Sequence, residues 1–371
     1  MAMFVTMKLL IVKVFVLFIR VLYAPMKLRK TKNKIVWLSR QSDEKSEDIK
    51  RLSDMINKLS PETIQVFRLK RLKDESGLSL SYVFSIFVDM WELSNASIAV
   101  ADTYSIPLSC LNHKNALKKI QIWHALGAVK KFSLQAVGKA QGRNEAVSRA
   151  MCMHKNYDVV IAPSEATAKF YCEAFGCTED KIRIASLPRV DEILNGDCRK
   201  DEFLQSNPDF NNKRIILYTP TFRTNDDVYA EKLFGAFSEV GDIKLVVKAH
   251  PLSKLSQNPK YQINGDFSTY DLMKIADGII TDYSACAFEG SLLNKPMWFY
   301  VPDYEIYKAE QGLNVDVLNE LPSISFSDEK MLVKDISSNN YDLSLIKQFS
   351  NKYVKNKNAD NTEMLARIIL E

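Results

Sequence analysis

Residues 276–302 read ADGIITDYSACAFEGSLLNKPMWFYVP. A short apolar run, Gly278-Ile279-Ile280, stops at Thr281-Asp282-Tyr283-Ser284, and an apolar helical segment follows to Leu293. Asn294-Lys295-Pro296 breaks that segment, and Met297 to Val301 is a second strand. Strand, turn, helix and strand within about 25 residues predict a βαβ unit with parallel strands. Ser284 stands where an N-cap belongs, with free backbone N–H groups behind it and the positive end of the helix dipole facing outward. At the carboxyl edge of a parallel sheet such an end seats phosphate. A plain helix cap accounts for the same serine, so the function has to be read from the rest of the chain.

The segments around this stretch repeat its pattern. Upstream, Arg214 to Tyr218 predicts a strand ending in Thr219-Pro220-Thr221-Phe222-Arg223, and Ala230 to Val240 predicts a helix. Ile243 to Lys248 predicts a strand ending in Ala249-His250-Pro251, with a small helix from Tyr270 to Ala276. Before the polar stretch Asn195 to Lys213, strands are expected over 34–38, 63–69, 96–101, 119–123, 157–163 and 182–185. Helices are expected over 46–59, 80–93 and 165–175, the last capped by Ser164. Strands alternating with helices through short connections mean doubly wound parallel sheets, one in each half. The expected domains are 1–30, a basic membrane-associating helix; 31–195, an α/β domain; and 196–371, a second α/β domain whose last helix returns to the first. Two such domains facing across a cleft form the GT-B arrangement.

A chain of 371 residues with 46% hydrophobic and 26% charged residues suits two globular domains, and its net charge of +5 is too mild for a nucleic-acid footprint. The six cysteines form no CxxC and no zinc spacing with the four histidines, which points to reduced thiols and away from a disulfide framework or a cysteine metal site. Residues 9–19 read LLIVKVFVLFI, flanked by Lys8, Arg20, Lys27, Arg29 and Lys30. This is short for a span of roughly 20 residues and fits a helix in the interface of an anionic cytoplasmic leaflet; a true span and a buried helix are the alternatives.

Chemistry-bearing residues collect at the predicted strand ends. In the first half these are His124 after Ile120-Gln121-Ile122-Trp123, Ser164, and Arg189, which Pro188 projects and Asp191 is placed to hold. In the second half they are Arg223, His250 and Ser284. No GxGxxG, GxxxxGK[ST] or DxD occurs, which removes weight from dinucleotide oxidoreduction, P-loop hydrolysis and metal-dependent sugar transfer.

Five ordered motifs then carry a resemblance: Gln121-Ile122-Trp123-His124, Leu187-Pro188-Arg189-Val190-Asp191, Tyr218-Thr219-Pro220-Thr221-Phe222-Arg223, Lys248-Ala249-His250-Pro251 and Ile280-Thr281-Asp282-Tyr283-Ser284. Over roughly Lys34 to Gly312 the chain resembles the CDP-glycerol glycerophosphotransferase family, which builds teichoic-acid-type polymers. The resemblance implies that His124 is the catalytic base toward the acceptor hydroxyl and that His250 is a second essential histidine, on the pyrophosphate. It implies donor contacts from Ala125, Leu126, Gly127, Ala128, Arg189, Thr221, Arg223, Thr281, Asp282, Ser284, Ala285 and Glu289. It implies no metal and no cofactor beyond the co-substrate, with CDP-glycerol or CDP-ribitol as donor. The other partners implied are a lipid-linked glycan or polymer acceptor and the cytoplasmic face of the membrane, with no nucleic acid; a homo-oligomer stays open. Where the family has Trp-His-Gly, a second serine after Asp-Tyr-Ser, and an aspartate, this chain has Ala125, Ala285 and Glu289, and the choice between glycerol and ribitol stays open.

Three other readings remain on the residues alone. One is a GT-B transferase using a nucleotide-sugar, another a non-catalytic membrane-bound partner that kept the fold. The third takes the aromatic 296–307 segment, PMWFYVPDYEIY, as a protein interface instead of strand core and loop.

Overall fold

The computed structural model describes residues 2–72, 80–139, 142–223, 226–249, 253–355 and 360–371. The chain divides into two units. Unit 1 comprises Met1–Ala125, Phe132–Arg189 and Lys355–Glu371, and unit 2 comprises Leu126–Lys131 and Val190–Val354.

Unit 1 is built on a six-stranded parallel sheet: β1 (Lys34–Ser39), β2 (Ile64–Leu69), β3 (Ile98–Ala101), β4 (Lys118–Gln121), β5 (Val159–Ala162) and β6 (Ile182–Ile184), in the order β2-β1-β3-β4-β5-β6. The central strands β1 and β3 are buried at every residue, as expected for strands covered on both faces, whereas Ile64 on the edge strand β2 is exposed. Leu38 pairs with Ala101, and Ala101 with Gln121, so the carboxyl ends of β1, β3 and β4 lie level. Strand order reverses between β1 and β3, where open parallel sheets leave a crevice.

The helices follow their sequence signals. Helix α1 spans Ala2–Met26, α2 spans Glu47–Leu59 and α3 spans Leu80–Leu93. Ser46 caps α2 by accepting from the Ile49 N–H, and Glu47 and Asp48 in its first turn suit the dipole. Ile49, Leu52 and Ile56 give α2 its buried face. The helix Glu165–Phe175 opens on a Ser164/Thr167 capping box and closes at Gly176, whose φ of 59° a side chain would oppose. The C-terminal helix Asn361–Leu370 packs on α2, and Lys118 Nζ donates to the Ile368 carbonyl at 2.9 Å.

Helix α1 is longer than the apolar stretch that announces it. Val16, Ile19 and Tyr23 enter a core with Tyr82, Ile86 and Met90 of α3 and with Tyr104 and Ile106. Its other side is also apolar: Leu10, Ile11, Val14, Leu17, Phe18 and Val21 are exposed. Among the described residues this is the one helix long and apolar enough to cross a membrane, over the 18 residues Leu9–Met26 at mean hydropathy 2.2.

Unit 2 carries a five-stranded parallel sheet: β7 (Arg214–Tyr218), β8 (Ile243–Val247), β9 (Gly278–Thr281), β10 (Met297–Tyr300) and β11 (Ser325–Phe326), in the order β11-β10-β9-β7-β8. Its order reverses between β7 and β9, and Tyr218 pairs with Ile280, which levels their carboxyl ends. The helix expected over 230–240 runs Asp226–Ser238, and the helix expected to reach Leu293 is shorter, Cys286–Ser291. The aromatic 296–307 segment is mostly core: β10 and Val301 are buried, as are Tyr304 and Tyr307, while Ile306 is exposed.

Candidate functional site

In unit 1 the site is set by the level ends of β1, β3 and β4. Past β4 the backbone turns through Trp123 at φ 58°, a left-handed conformation that costs energy in a bulky residue. Its surroundings hold it there. The Trp123 N–H donates to the Gln121 side chain at 2.9 Å, and its ring lies 5.2 Å from Phe132 and 5.3 Å from Phe175. The next residue is His124, its ring centroid 4.0 Å from that of Trp123.

Nδ1 of His124 lies 3.0 Å from the backbone carbonyl of Asp102, at the end of β3. A carbonyl only accepts, so in the neutral ring Nδ1 carries the proton and Nε2 is the basic nitrogen. The Asp102 side chain is buried beside it and accepts from the Ser39 hydroxyl at 2.9 Å. Burial pushes that carboxyl up to about 6, against hydrogen bonds from Ser39 and Thr103 and with help from the nearby Asp48 charge.

Arg189 is gripped by Asp48 of α2, a partner that sequence spacing did not suggest. Its Nε and Nη2 donate to Asp48 Oδ2 at 2.9 and 2.5 Å, and its backbone N–H donates to Oδ1 at 2.8 Å. Nη2 also donates to the His124 carbonyl at 3.0 Å. The guanidinium thus braces the loop that carries His124. Ala125 adds a contact of its own, its carbonyl accepting from Tyr171 Oη at 3.3 Å. Ser164, a strand-end candidate, is fully buried, and its hydroxyl serves the helix cap.

Leu126, Gly127 and Ala128 are buried and belong to unit 2. A Cβ on Gly127 would stand 2.6 Å from the Phe288 ring, so glycine is required by close approach.

In unit 2 three of the predicted residues form one buried network. Asp282 accepts from the Thr221 N–H at 2.9 Å, from the Thr221 hydroxyl at 2.6 Å and from Arg223 Nη2 at 2.7 Å. Thr281 Oγ1 donates to the Thr219 carbonyl at 3.1 Å, tying β9 to β7. Arg223 also pairs with Asp303 at 3.0 Å, and Tyr283, whose hydroxyl donates to Asp303, stacks on Tyr307 at 3.9 Å. Burial lifts the Asp303 carboxyl, and the Arg223 charge draws it back.

Ser284 Oγ accepts from the Cys286 N–H at 3.3 Å, one residue ahead of the assigned cap position, which Ala285 occupies without a side-chain bond. Glu289 is buried on the same helix and accepts from the Tyr270 hydroxyl at 3.1 Å. His250 lies outside the described residues. Among the described residues no group of three or more His, Cys, Asp or Glu side chains could hold a metal ion.

Sequence reasoning missed Asp48, Asp102 and Asp303. Asp303 had a signal, since it directly follows the Pro302 that closes β10. Asp48 had none: it reads as an ordinary first-turn acid, 141 residues from its arginine.

Residues 21–371 match the family model described as CDP-Glycerol:Poly(glycerophosphate) glycerophosphotransferase. The chain is 29% identical to a teichoic acid ribitol-phosphate primase of Bacillus spizizenii, over 91% of this chain and 90% of the relative. It is also 29% identical to a teichoic acid glycerol-phosphate primase of Bacillus subtilis, over 74% of each. Among solved structures it resembles the wall teichoic acid polymerase TagF, with TM-score 0.69 and 22% identity over 94% of this chain and 92% of that one. It also resembles MnaA of S. aureus in complex with UDP, with TM-score 0.58 and 14% identity over 92% of this chain and 95% of that one. Both structural likenesses concern the fold, a pair of parallel α/β sheets of GT-B type.

Proposed function

The chain belongs to the CDP-glycerol:poly(glycerophosphate) glycerophosphotransferase family, and from that premise we propose that it transfers glycerol phosphate from CDP-glycerol to a hydroxyl of a lipid-linked acceptor in teichoic-acid-type polymer synthesis. The acceptor oxygen attacks the glycerol-side phosphorus, its proton passes to Nε2 of His124, the bond to the other phosphate breaks, and CMP leaves. The observation that carries this reading is the Nδ1 contact to the Asp102 carbonyl, which leaves Nε2 as the basic nitrogen. Arg189 serves by positioning His124. Ser284 and the N–H groups after it are assigned to a donor phosphate, and the Thr221, Arg223 and Asp282 network fixes the loops beside them. His250 keeps its family role on the pyrophosphate as part of the same proposal.

The exposed apolar side of α1, with Arg20 and Lys30 exposed near its end, supports seating in the cytoplasmic membrane interface, where a lipid-linked acceptor is found. The ribitol-phosphate primase, nine-tenths of which this chain covers, favours CDP-ribitol as a second reading for the donor. CMP release from each donor with a lipid-linked saccharide acceptor, in wild type and His124→Ala, tests both. Release from one donor, lost in the variant, supports the reaction and names the polyol. Turnover of a nucleotide-sugar instead would move the chain to sugar transfer.

A further inference from the structure

Lys130 lies in the segment Leu126–Lys131 of unit 2, which is fixed at both ends. Gly127 lies against the Phe288 ring. The N–H groups of Asn314 and Val315 both donate to the Val129 carbonyl, at 2.7 and 3.1 Å, and the Lys131 N–H donates to the Gly312 carbonyl at 2.9 Å. The carbonyls of Lys130 and Lys131 accept from Asn314 Nδ2 at 3.2 Å and from Gln311 Nε2 at 2.7 Å. The backbone around Lys130 is thus held firmly. Its side chain is half-buried, and among the described residues its Nζ makes no hydrogen bond and no ion pair. Charges at longer range act on it: burial lowers its proton affinity below the usual lysine value, Asp282 draws it back up, and Arg223 lowers it again.

The arginine of this cluster is already engaged. Arg223 Nη2 donates to Asp282 at 2.7 Å and Nη1 to Asp303 at 3.1 Å, and the guanidinium lies 5.0 Å from the Tyr229 ring and 5.4 Å from the Tyr283 ring. A ligand phosphate would have to displace a carboxylate to reach it. Were Lys130 merely the counter-ion of Asp282, it would form the ion pair that Arg223 forms instead. A half-buried ammonium without acceptors carries a cost that a bound anion removes, and lysine meets a phosphate as a compact charge with three donors on a flexible stem.

We propose that the Lys130 ammonium grips the nucleotide-side phosphate of the donor and neutralises the charge that CMP gains on leaving, while Arg223 stays in the wall of the site. This rests on the phosphotransferase reading. In that reaction a bond forms from the acceptor oxygen to the glycerol-side phosphorus, and the bond from that phosphorus to the bridging oxygen breaks. The acceptor proton goes to His124. The bridging oxygen keeps the electron pair, so CMP leaves with one negative charge more than its phosphate carried in the donor. A cation beside that phosphate therefore interacts more strongly as the bond breaks.

The test titrates CMP, cytidine and CDP-glycerol calorimetrically into the full chain, as wild type, Lys130→Met, Lys130→Arg and Lys131→Met, each checked for folding by circular dichroism, with CMP release measured alongside. In Lys130→Met, CMP should bind about tenfold more weakly, CDP-glycerol about threefold more weakly at most and cytidine as before, while kcat falls about a hundredfold. Lys130→Arg should recover part of kcat, and Lys131→Met, the same loss of charge one residue on, should stay within about twofold of wild type in each titration. Equal CMP affinity in wild type and folded Lys130→Met overturns the proposal. So does an equal loss in Lys131→Met, which would mean a general field, or an equal loss for CMP and cytidine, which would place the effect away from the phosphate. If wild type releases CMP from neither CDP-polyol, the transferase reading falls. Titration of CMP and UMP into wild type and Lys130→Met then decides whether Lys130 holds a nucleotide phosphate, and equal affinity, or binding of neither, overturns that too.

Discussion

His124 and Asp102 are joined through a main-chain carbonyl: Nδ1 of the imidazole lies 3.0 Å from the Asp102 oxygen, while the Asp102 carboxylate turns to Ser39. The bond fixes which ring nitrogen is basic without placing a negative charge on the ring. The base is therefore Nε2, with Nδ1 held by a main-chain carbonyl.

Replacing His124 by Ala should cut CMP release by about a hundredfold or more and leave CDP-glycerol affinity within about twofold, because a base acts mainly in the transition state. Steady-state CMP release together with donor titration measures both. Turnover at the wild-type rate would remove His124 from the chemistry.

Asp48→Asn should weaken a buried ion pair whose side chains are 6% and 14% exposed. A loss of about 3 kcal/mol in urea unfolding is expected, since the attraction of the Asp48 charge is removed while the Arg189 charge stays buried. Turnover should fall more than donor affinity, because the brace holds the His124 carbonyl. If the Asp48→Asn, Arg189→Met double variant loses the sum of the two single losses, the residues act independently and the brace is wrong.

Gly127→Ala brings a methyl group to 2.6 Å from the Phe288 ring, which is itself fully buried. Overpacking of this kind costs about 1–3 kcal/mol. Thermal melts should show the loss, and adding Phe288→Leu should recover part of it. No recovery in the double variant would place the cost in the backbone and not in the ring.

The sheets were legible because their strands are short apolar runs closed by turn residues, and α2 and the Glu165–Phe175 helix because Ser46 and Ser164 announce them. The candidate site was legible as positions, since strand ends can be read along the chain. Its wiring was not. Asp48 and Arg189 meet only through packing across 141 positions, a separation that no local pattern announces. The two-residue β11 lacked the length that makes an apolar run visible. The short helix after Ser284 reads as longer because the apolar residues continue past its end at Ser291 into the following turn.

Asp102 should make stability fall with rising pH in the acidic range. Its folded carboxyl takes its proton up at about 6, against an ordinary 3.8, so between these values the folded chain holds the proton that the unfolded chain has released. The folded state is favoured by this group at the acid end, loses that advantage as pH rises toward about 6, and above it carries a penalty of about 3 kcal/mol. Asp102→Asn removes the charge but keeps the backbone carbonyl. It should therefore gain stability over wild type at pH 7.5 and show little difference at pH 4, by urea unfolding. A constant difference across that range would rule the titration out.

Helix α1 should separate membrane binding from folding. Leu10→Glu with Leu17→Glu changes only exposed positions and should abolish sedimentation with anionic vesicles while the melting temperature holds. Deleting residues 2–23 should instead lower that temperature, because Val16, Ile19 and Tyr23 leave the core. Vesicle binding that survives the double glutamate variant would mean that another surface makes the contact.

The return of the C-terminal helix to unit 1 sets an order on synthesis. The unit that bears His124 is completed by Lys355–Glu371, which leaves the ribosome only after the whole of Val190–Val354. Domains fold as their chain emerges, so β1 to β6 must wait through the making of unit 2 before their sheet is covered beside α2. A chain cut short at Val354 would retain the whole of unit 2 and still lack the helix that packs on α2. Translation beyond unit 2 is thereby a condition for a covered α2, and not for the sheet that carries Ser284.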